Sequence, residues 1–135
     1  MLRVDEADLD YSVEQICIYA GVPFSGVAYE EVAGILISEA MYVDGLLDGV
    51  VKIWYSSGKP FKEELYRRNY LHGCCVEWFE HGGVKIACSY ECGILIERKE
   101  WDVNGGLISE YGLTPSAEGY ELLEIRRHMW SEGRR

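Results

Sequence analysis

Through the middle of the chain, short runs rich in β-branched and aromatic residues are separated by polar, glycine-containing turns, the pattern of successive strands. Residues 50–55 (VVKIWY), 61–66 (FKEELY) and 85–90 (KIACSY) are rich in Val, Ile, Trp and Tyr, types that suit a half-buried sheet surface. Turn signals punctuate these runs: Ser57-Gly58, His81-Gly82-Gly83 and Asn104-Gly105-Gly106 inside hairpins, and Asp44-Gly45, Asn69-Tyr70 and Glu91-Cys92-Gly93 between them. Asn-Gly is a strong hairpin signal because both residues tolerate positive φ.

The pattern repeats. At an offset of 24, Gly49, Trp54, Tyr55, Gly58, Tyr66 and Leu71 fall on Gly73, Trp78, Phe79, Gly82, Tyr90 and Leu95. Upstream, Gly34, Tyr42 and Leu47 sit 24 residues before Gly58, Tyr66 and Leu71, and downstream Trp101, Gly105 and Leu107 sit 23 after Trp78, Gly82 and Val84. A fixed period of this length is the mark of a stack of identical supersecondary units. The expected fold is mainly β: a repeat-built antiparallel meander of successive hairpins of about 24 residues, seven or eight strands in all, with a short C-terminal helix. The whole chain, 1–135, forms one domain, with hairpin repeats over 16–112 (about 26–48, 49–72, 73–96 and 97–112) and a tail over 113–135.

In that tail, Leu122, Ile125 and Met129 fall at helical spacing, and so do Tyr120, Leu123 and Trp130. Thr114-Pro115 supplies an N-cap and first helical residue, although Gly119 weakens a helix begun so early. Residues 131–135 are expected to fray.

The chain carries a formal charge of -10, distributed very unevenly. Residues 1–48 hold ten acids and one base, while residues 49–135 hold 13 acids and 12 bases. Such an acidic third repels nucleic acid and anionic lipid and favours a basic protein partner; solubility alone would also account for it. Hydrophobic residues at 48% exclude disorder. Residues 1–10 are polar and do not read as a signal peptide. No run approaches the roughly 18 apolar residues of a membrane span, so a cytoplasmic protein is expected.

Catalytic constellations are missing from the sequence, and the expectation is that the chain is not an enzyme and takes no cofactor. His72 and His81 lie in turns, and no Ser, Cys or Lys has a recognisable nucleophile setting. Glycines follow the repeat rather than cluster into a phosphate-binding loop. Glu30-Glu31 and Glu63-Glu64 are adjacent strand residues, whose side chains point to opposite faces. The five cysteines (Cys17, Cys74, Cys75, Cys88, Cys92) have no zinc-knuckle spacing and are expected to be reduced, buried and metal-free. The periodic aromatics Trp54, Tyr55, Trp78, Phe79 and Trp101 read first as shared core, with an exposed binding row as the alternative.

Units of the form G-x4-W/Y-Y/F-x2-G-x7-Y-x4-L/H-G resemble the variant MORN repeat of YwqK-type antitoxin and immunity proteins. The stretch PFSGVAYEEVAGILISEAMYVDGLLDGVVKIWYSSGKPFKEELYRRNYLHG is especially similar, and the likeness extends over about residues 16–112. Two departures stand out: Glu30-Glu31 replaces the aromatic pair of the first copy, and the fourth copy is short. The resemblance implies an immunity protein that binds and neutralises a toxic effector domain. Together with the charge, it nominates Glu30, Glu31, Glu39, Asp44 and Asp48, with Tyr42 and Trp54, as partner-binding residues against a basic toxin domain. The alternative is a non-catalytic scaffold that associates with itself through its edge strands.

Overall fold

The structure, a computed structural model, describes residues 1–132. Its strands are β1 (Arg3–Asp5), β2 (Asp10–Tyr11), β3 (Cys17–Tyr19), β4 (Val22–Pro23), β5 (Gly26–Val32), β6 (Ile35–Val43) and β7 (Leu46–Trp54). They continue as β8 (Pro60–Arg67), β9 (Tyr70–Leu71), β10 (Gly73–Trp78), β11 (Val84–Glu91), β12 (Ile94–Trp101) and β13 (Leu107–Gly112), followed by helix α1 (Tyr120–Ser131). Ten strands form one open sheet in the order β1-β5-β6-β7-β8-β10-β11-β12-β13, with β9 paired to β8. From β5 onward every pairing is antiparallel and, apart from the step from β8 to β10 past the two-residue β9, sequential, which is the expected meander with its C-terminal helix.

Two features of the N-terminal segment depart from the sequence reading. β1 joins the sheet edge in parallel with β5, and β2, β3 and β4 form a separate small sheet. Strands of two or three residues are too short to display an alternating pattern. There are thus 13 strands among the described residues rather than seven or eight.

The two ends of the strands are built differently. At one end, tight two-residue turns have positive φ at both positions: Asp44-Gly45 (50° and 82°), Arg68-Asn69 (46° and 72°) and Cys92-Gly93 (52° and 80°). These are type I′ turns, whose twist matches that of the flanking strands. The middle turn falls on Arg68-Asn69, one residue before the expected Asn69-Tyr70, because Tyr70 already belongs to β9. At the other end, Gly58, Gly82 and Gly105 close wider loops by donating to the carbonyls of Tyr55, Phe79 and Asp102. Only the β5–β6 connection there, Ala33-Gly34, is a two-residue turn.

A backbone ladder ties the tight turns together. The Gly45 amide donates to the Phe24 carbonyl (2.7 Å), Asn69 to Leu47 (2.8 Å) and Gly93 to Leu71 (2.8 Å). The three bonds recur with the sequence repeat, so each hairpin is latched to the one before it. The repeat glycines Gly49 and Gly73, at φ 116° and 115°, also have a packing reason: a Cβ there would press on the side chains of Met41 and Leu65.

Packing is concentrated at the two flanks of this latched end. The buried cluster consists of Val4, Leu9, Cys17, Phe24 and Ala28, with Tyr19 and Tyr42 packed against it. At the other flank Leu123 is 1% exposed, Arg126 donates to the Cys92 carbonyl (2.8 Å), and the Trp130 ring meets Tyr70 and His72. Between them the sheet is a single layer, and all nine residues of β7 are half-buried. The periodic aromatics Trp54, Tyr55, Trp78, Phe79 and Trp101 are therefore half-buried sheet residues and not members of a buried core.

Helix α1 begins after Gly119, not at Thr114-Pro115. Gly119 has φ 95°, a left-handed conformation that a continuous helix does not contain. Of the two helical stripes, Leu123 and Trp130 pack inward, whereas Leu122, Ile125 and Met129 stay exposed. Ser131 closes the helix, and residues 133–135 of the expected frayed end lie outside the described residues. No described helix is long and apolar enough to cross a membrane.

Candidate functional site

Residues directly opposite in neighbouring strands share a face, so the strand registers divide the sheet into a front and a back. One back row runs Tyr29, Glu39, Lys52, Glu63, Val76, Ala87, Lys99, Glu110 from β5 to β13. Its charges neutralise one another. Glu39 pairs with Arg3, Lys52 lies 4.0 Å from Glu63, and Lys99 lies 3.9 Å from Glu110.

The corresponding front row runs Glu30, Ser38, Ile53, Lys62, Glu77, Ile86, Glu100, Ser109. Its C-terminal part is again neutralised, by the pairs Lys62–Glu64 (3.6 Å), Lys85–Glu77 (3.5 Å) and Arg98–Glu100 (3.1 Å). Its N-terminal part is not. There Glu6 and Glu30 border a hollow of about 340 Å³ with a floor of Ala28, Ala40, Val51 and Ile53. Neither carboxylate forms an ion pair among the described residues. Partial burial raises the Glu6 carboxyl above its ordinary value, and the nearby charges of Glu30 and Asp5 raise it further. Two like charges left unanswered at a shallow apolar hollow form a place where an incoming cation is stabilised.

Tyrosines at the repeat spacing wall this face. Tyr42 and Tyr66 line the first hollow, and Tyr90 lines a second one further along. Burial, reinforced by Glu64, pushes the Tyr66 hydroxyl up to about 12. Burial likewise raises Tyr42, whose hydroxyl lies 3.1 Å from that of Tyr11.

The nominated partner-binding residues do not gather on one surface. Glu30 is at the front hollow and Glu39 on the back, bonded to Arg3. Glu31 is exposed near the loop end, past a bulge in β5. Asp44 occupies a latched turn, where its amide donates to Ser25 Oγ (2.8 Å). Asp48 is half-buried in β7. Tyr42 leans on Phe24, with ring centroids 5.8 Å apart, and so serves the buried cluster. Trp54 ends β7, and strand alternation from Ile53 places it on the back.

Glu6 was missed by the sequence reading. It belongs to a 3-10 turn, Glu6–Asp8, held by the Asp5 carboxylate accepting from the Ala7 amide. The Asp5-x-x-Asp8 spacing signals a capped turn, but nothing local shows that it approaches Glu30. The cysteines also differ from expectation in part: Cys17, Cys75 and Cys92 are buried, Cys88 is half-buried and Cys74 is exposed. Among the described residues no three of His, Cys, Asp and Glu come together as a metal-holding group.

The fold and this face define a single-layer, repeat-built β-meander with an acidic hollow at one flank of its front. No family model, curated protein or solved structure matches the chain.

Proposed function

We propose that this chain is a cytoplasmic immunity protein, a non-enzymatic antitoxin that neutralises a toxic effector domain by covering its active site. The observation that carries the reading is the unneutralised Glu6–Glu30 pair at the front hollow, in a sheet where the other carboxylates of the two cross-strand rows, Glu39, Glu63, Glu77, Glu100 and Glu110, each have a cationic partner. An arginine or lysine from a basic toxin surface enters the hollow, relieves the repulsion and rests its alkyl stem on Ala28, Ala40 and Val51. The ten acids of residues 1–48 speed the encounter and make it salt-sensitive. The variant MORN likeness supplies the kind of partner; the hollow supplies its chemistry. The same charge disfavours nucleic acid and anionic membranes as partners.

The test is capture from the native lysate at low and high salt. The reading requires a basic protein that is toxic when expressed alone, harmless when co-expressed with this chain, and released by salt or by Glu30→Lys. A captured toxin that ignores Glu30→Lys removes the hollow from the interface, and a toxin that stays toxic on co-expression removes the function.

A second reading, self-association, is favoured by β13. All six of its residues are exposed at the open edge of the sheet, and edge strands invite pairing. A concentration-dependent dimer abolished by Ile108→Lys would establish it, and a monomer at all concentrations would dismiss it.

A further inference from the structure

The structure assigns a second site, independent of the immunity reading: we propose that Cys75 and Cys88 are a redox-active dithiol that a glutathione-class disulfide oxidises to a cross-strand bond between β10 and β11. The two residues are direct partners in the antiparallel register. Opposite Cα atoms in such a ladder are about 4.5–5.5 Å apart, within the roughly 4.4–6.8 Å that a disulfide spans. Direct partners also share a face, so both thiols project to the front. Cys74 pairs with Ser89 and projects to the back, while Cys17 lies in the N-terminal cluster and Cys92 in the turn contacted by α1. No other two of the five cysteines are paired across strands.

The surroundings leave the pair open to a small disulfide. The two cysteines line an open hollow of about 160 Å³ whose rim carries Lys62 and Arg98 together with Glu64 and Glu77. Arg98 is itself the cross-strand partner of Cys88 on β12. Both cations are ion-paired, to Glu64 and Glu100, so their effect is local: they partly offset the burial that raises the Cys88 thiol. Cys75 is more deeply buried, 7% exposed, and its thiol is also raised, first by burial. Cys88 is therefore the point of entry and Cys75 the resolving thiol.

The chemistry balances. Cys88, as thiolate, attacks one sulfur of the disulfide; a protein–glutathione bond forms and a glutathione thiolate leaves and takes up a proton. Cys75 loses its proton to solvent, attacks the Cys88 sulfur and expels the second glutathione thiolate. Two protein thiols lose two electrons and two protons, and the oxidant is recovered as two thiols. Because burial raises both cysteines, exchange is slow at neutral pH and accelerates as pH rises.

The test uses the full-length chain carrying Cys74→Ser, which removes the exposed thiol, in buffers of increasing oxidised-to-reduced glutathione ratio, with alkylation and intact-mass measurement. The expected product is monomeric and lighter by two hydrogens, with peptides joined through Cys75 and Cys88, and it forms faster at higher pH. Adding Cys75→Ser should arrest the reaction at a glutathione adduct on Cys88. Urea, which dissolves the register, should suppress the intramolecular bond in favour of adducts. A chain that keeps both thiols free under the most oxidising ratio, that stops at a stable Cys88 adduct with Cys75 present, or that crosslinks as well in urea as in buffer would overturn the proposal. Unchanged circular dichroism of both variants verifies that the fold being tested is intact.

Discussion

Replacing Gly45 by alanine tests whether the latched turns hold the two parts of the molecule together. Gly45 and Gly34 occupy the same second position of a two-residue turn, with φ of 82° and 80°. Either replacement places an L side chain in left-handed backbone, a cost of roughly 1–2 kcal/mol. There the similarity ends. Around Gly34 a Cβ meets nothing within 4 Å, whereas at Gly45 it runs into the Ile16 side chain and the Cys17 carbonyl. The same glycine gives and receives the bonds that attach the small N-terminal sheet: its carbonyl accepts from the Cys17 amide (2.8 Å) and its amide donates to Phe24 (2.7 Å). Loss of these two bonds costs about 1 kcal/mol each, and the overpacking adds about 1–3 kcal/mol. Gly45→Ala should therefore be less stable than Gly34→Ala by about 3–5 kcal/mol, or on the order of 10 °C in Tm for a chain of this length. Urea and thermal unfolding followed by circular dichroism measure the difference directly. Near-ultraviolet signals from Tyr19, Tyr42 and Phe24 should be lost first in Gly45→Ala. Equal destabilisation by the two substitutions would show that the turn contributes only its own backbone conformation and that the latch carries no weight.

Two further expectations concern other parts of the structure. Leu123 is 1% exposed, so Leu123→Ala should cost about 2–4 kcal/mol and weaken the helical far-ultraviolet signal while leaving the sheet signal in place; an unchanged midpoint would mean that α1 is not anchored there. Glu6 has a raised carboxyl pKa in the folded chain, so ionisation disfavours the folded state, and its contribution worsens as pH rises through the carboxylate range. Glu6→Gln should accordingly stabilise the protein near neutral pH, with the gain vanishing in acid below the ordinary value of 4.5, where Glu6 is itself protonated; a gain that persists in acid would point to a packing effect instead.

The repeat was legible because its signals are local. The glycines at the 24-residue offset mark loops, a tight turn at Gly34 and strand openings whose positive φ excludes most other residues. The position of the core was not legible, since a periodic aromatic pair looks the same in sequence whether or not a second layer covers it. A sheet with no covering layer leaves Trp54 and Trp78 half-exposed however periodic they are, and burial moves to the N-terminal cluster around Phe24. The approach of Glu6 to Glu30 depends on β1 docking in parallel against β5, a non-local event with no sequence period. The Cys75–Cys88 pairing depends on a one-residue register shift between Glu77 and Trp78. Without that bulge Cys75 would face a neighbour of Cys88, and nothing in the sequence announces the bulge.

The same accounting of charges decides which face a basic partner should choose. On the back, Glu63 already lies 4.0 Å from Lys52. An incoming cation there competes with that lysine and gains little, because such exposed pairs contribute about 0–1 kcal/mol. At the front hollow Glu30 has no ion pair among the described residues and raises the pKa of Glu6, so a cation gains an attraction and removes a repulsion together. Glu30→Lys and Glu63→Lys change the net charge equally, so any difference between them reports position rather than long-range field. Titration with an arginine-rich peptide at low salt should show several-fold weaker binding for Glu30→Lys than for Glu63→Lys, converging as salt shortens the screening length to about 3 Å near 1 M. Equal weakening at all salt concentrations would mean that the peptide senses only the total charge of the acidic third, and the hollow would lose its claim to be the binding site.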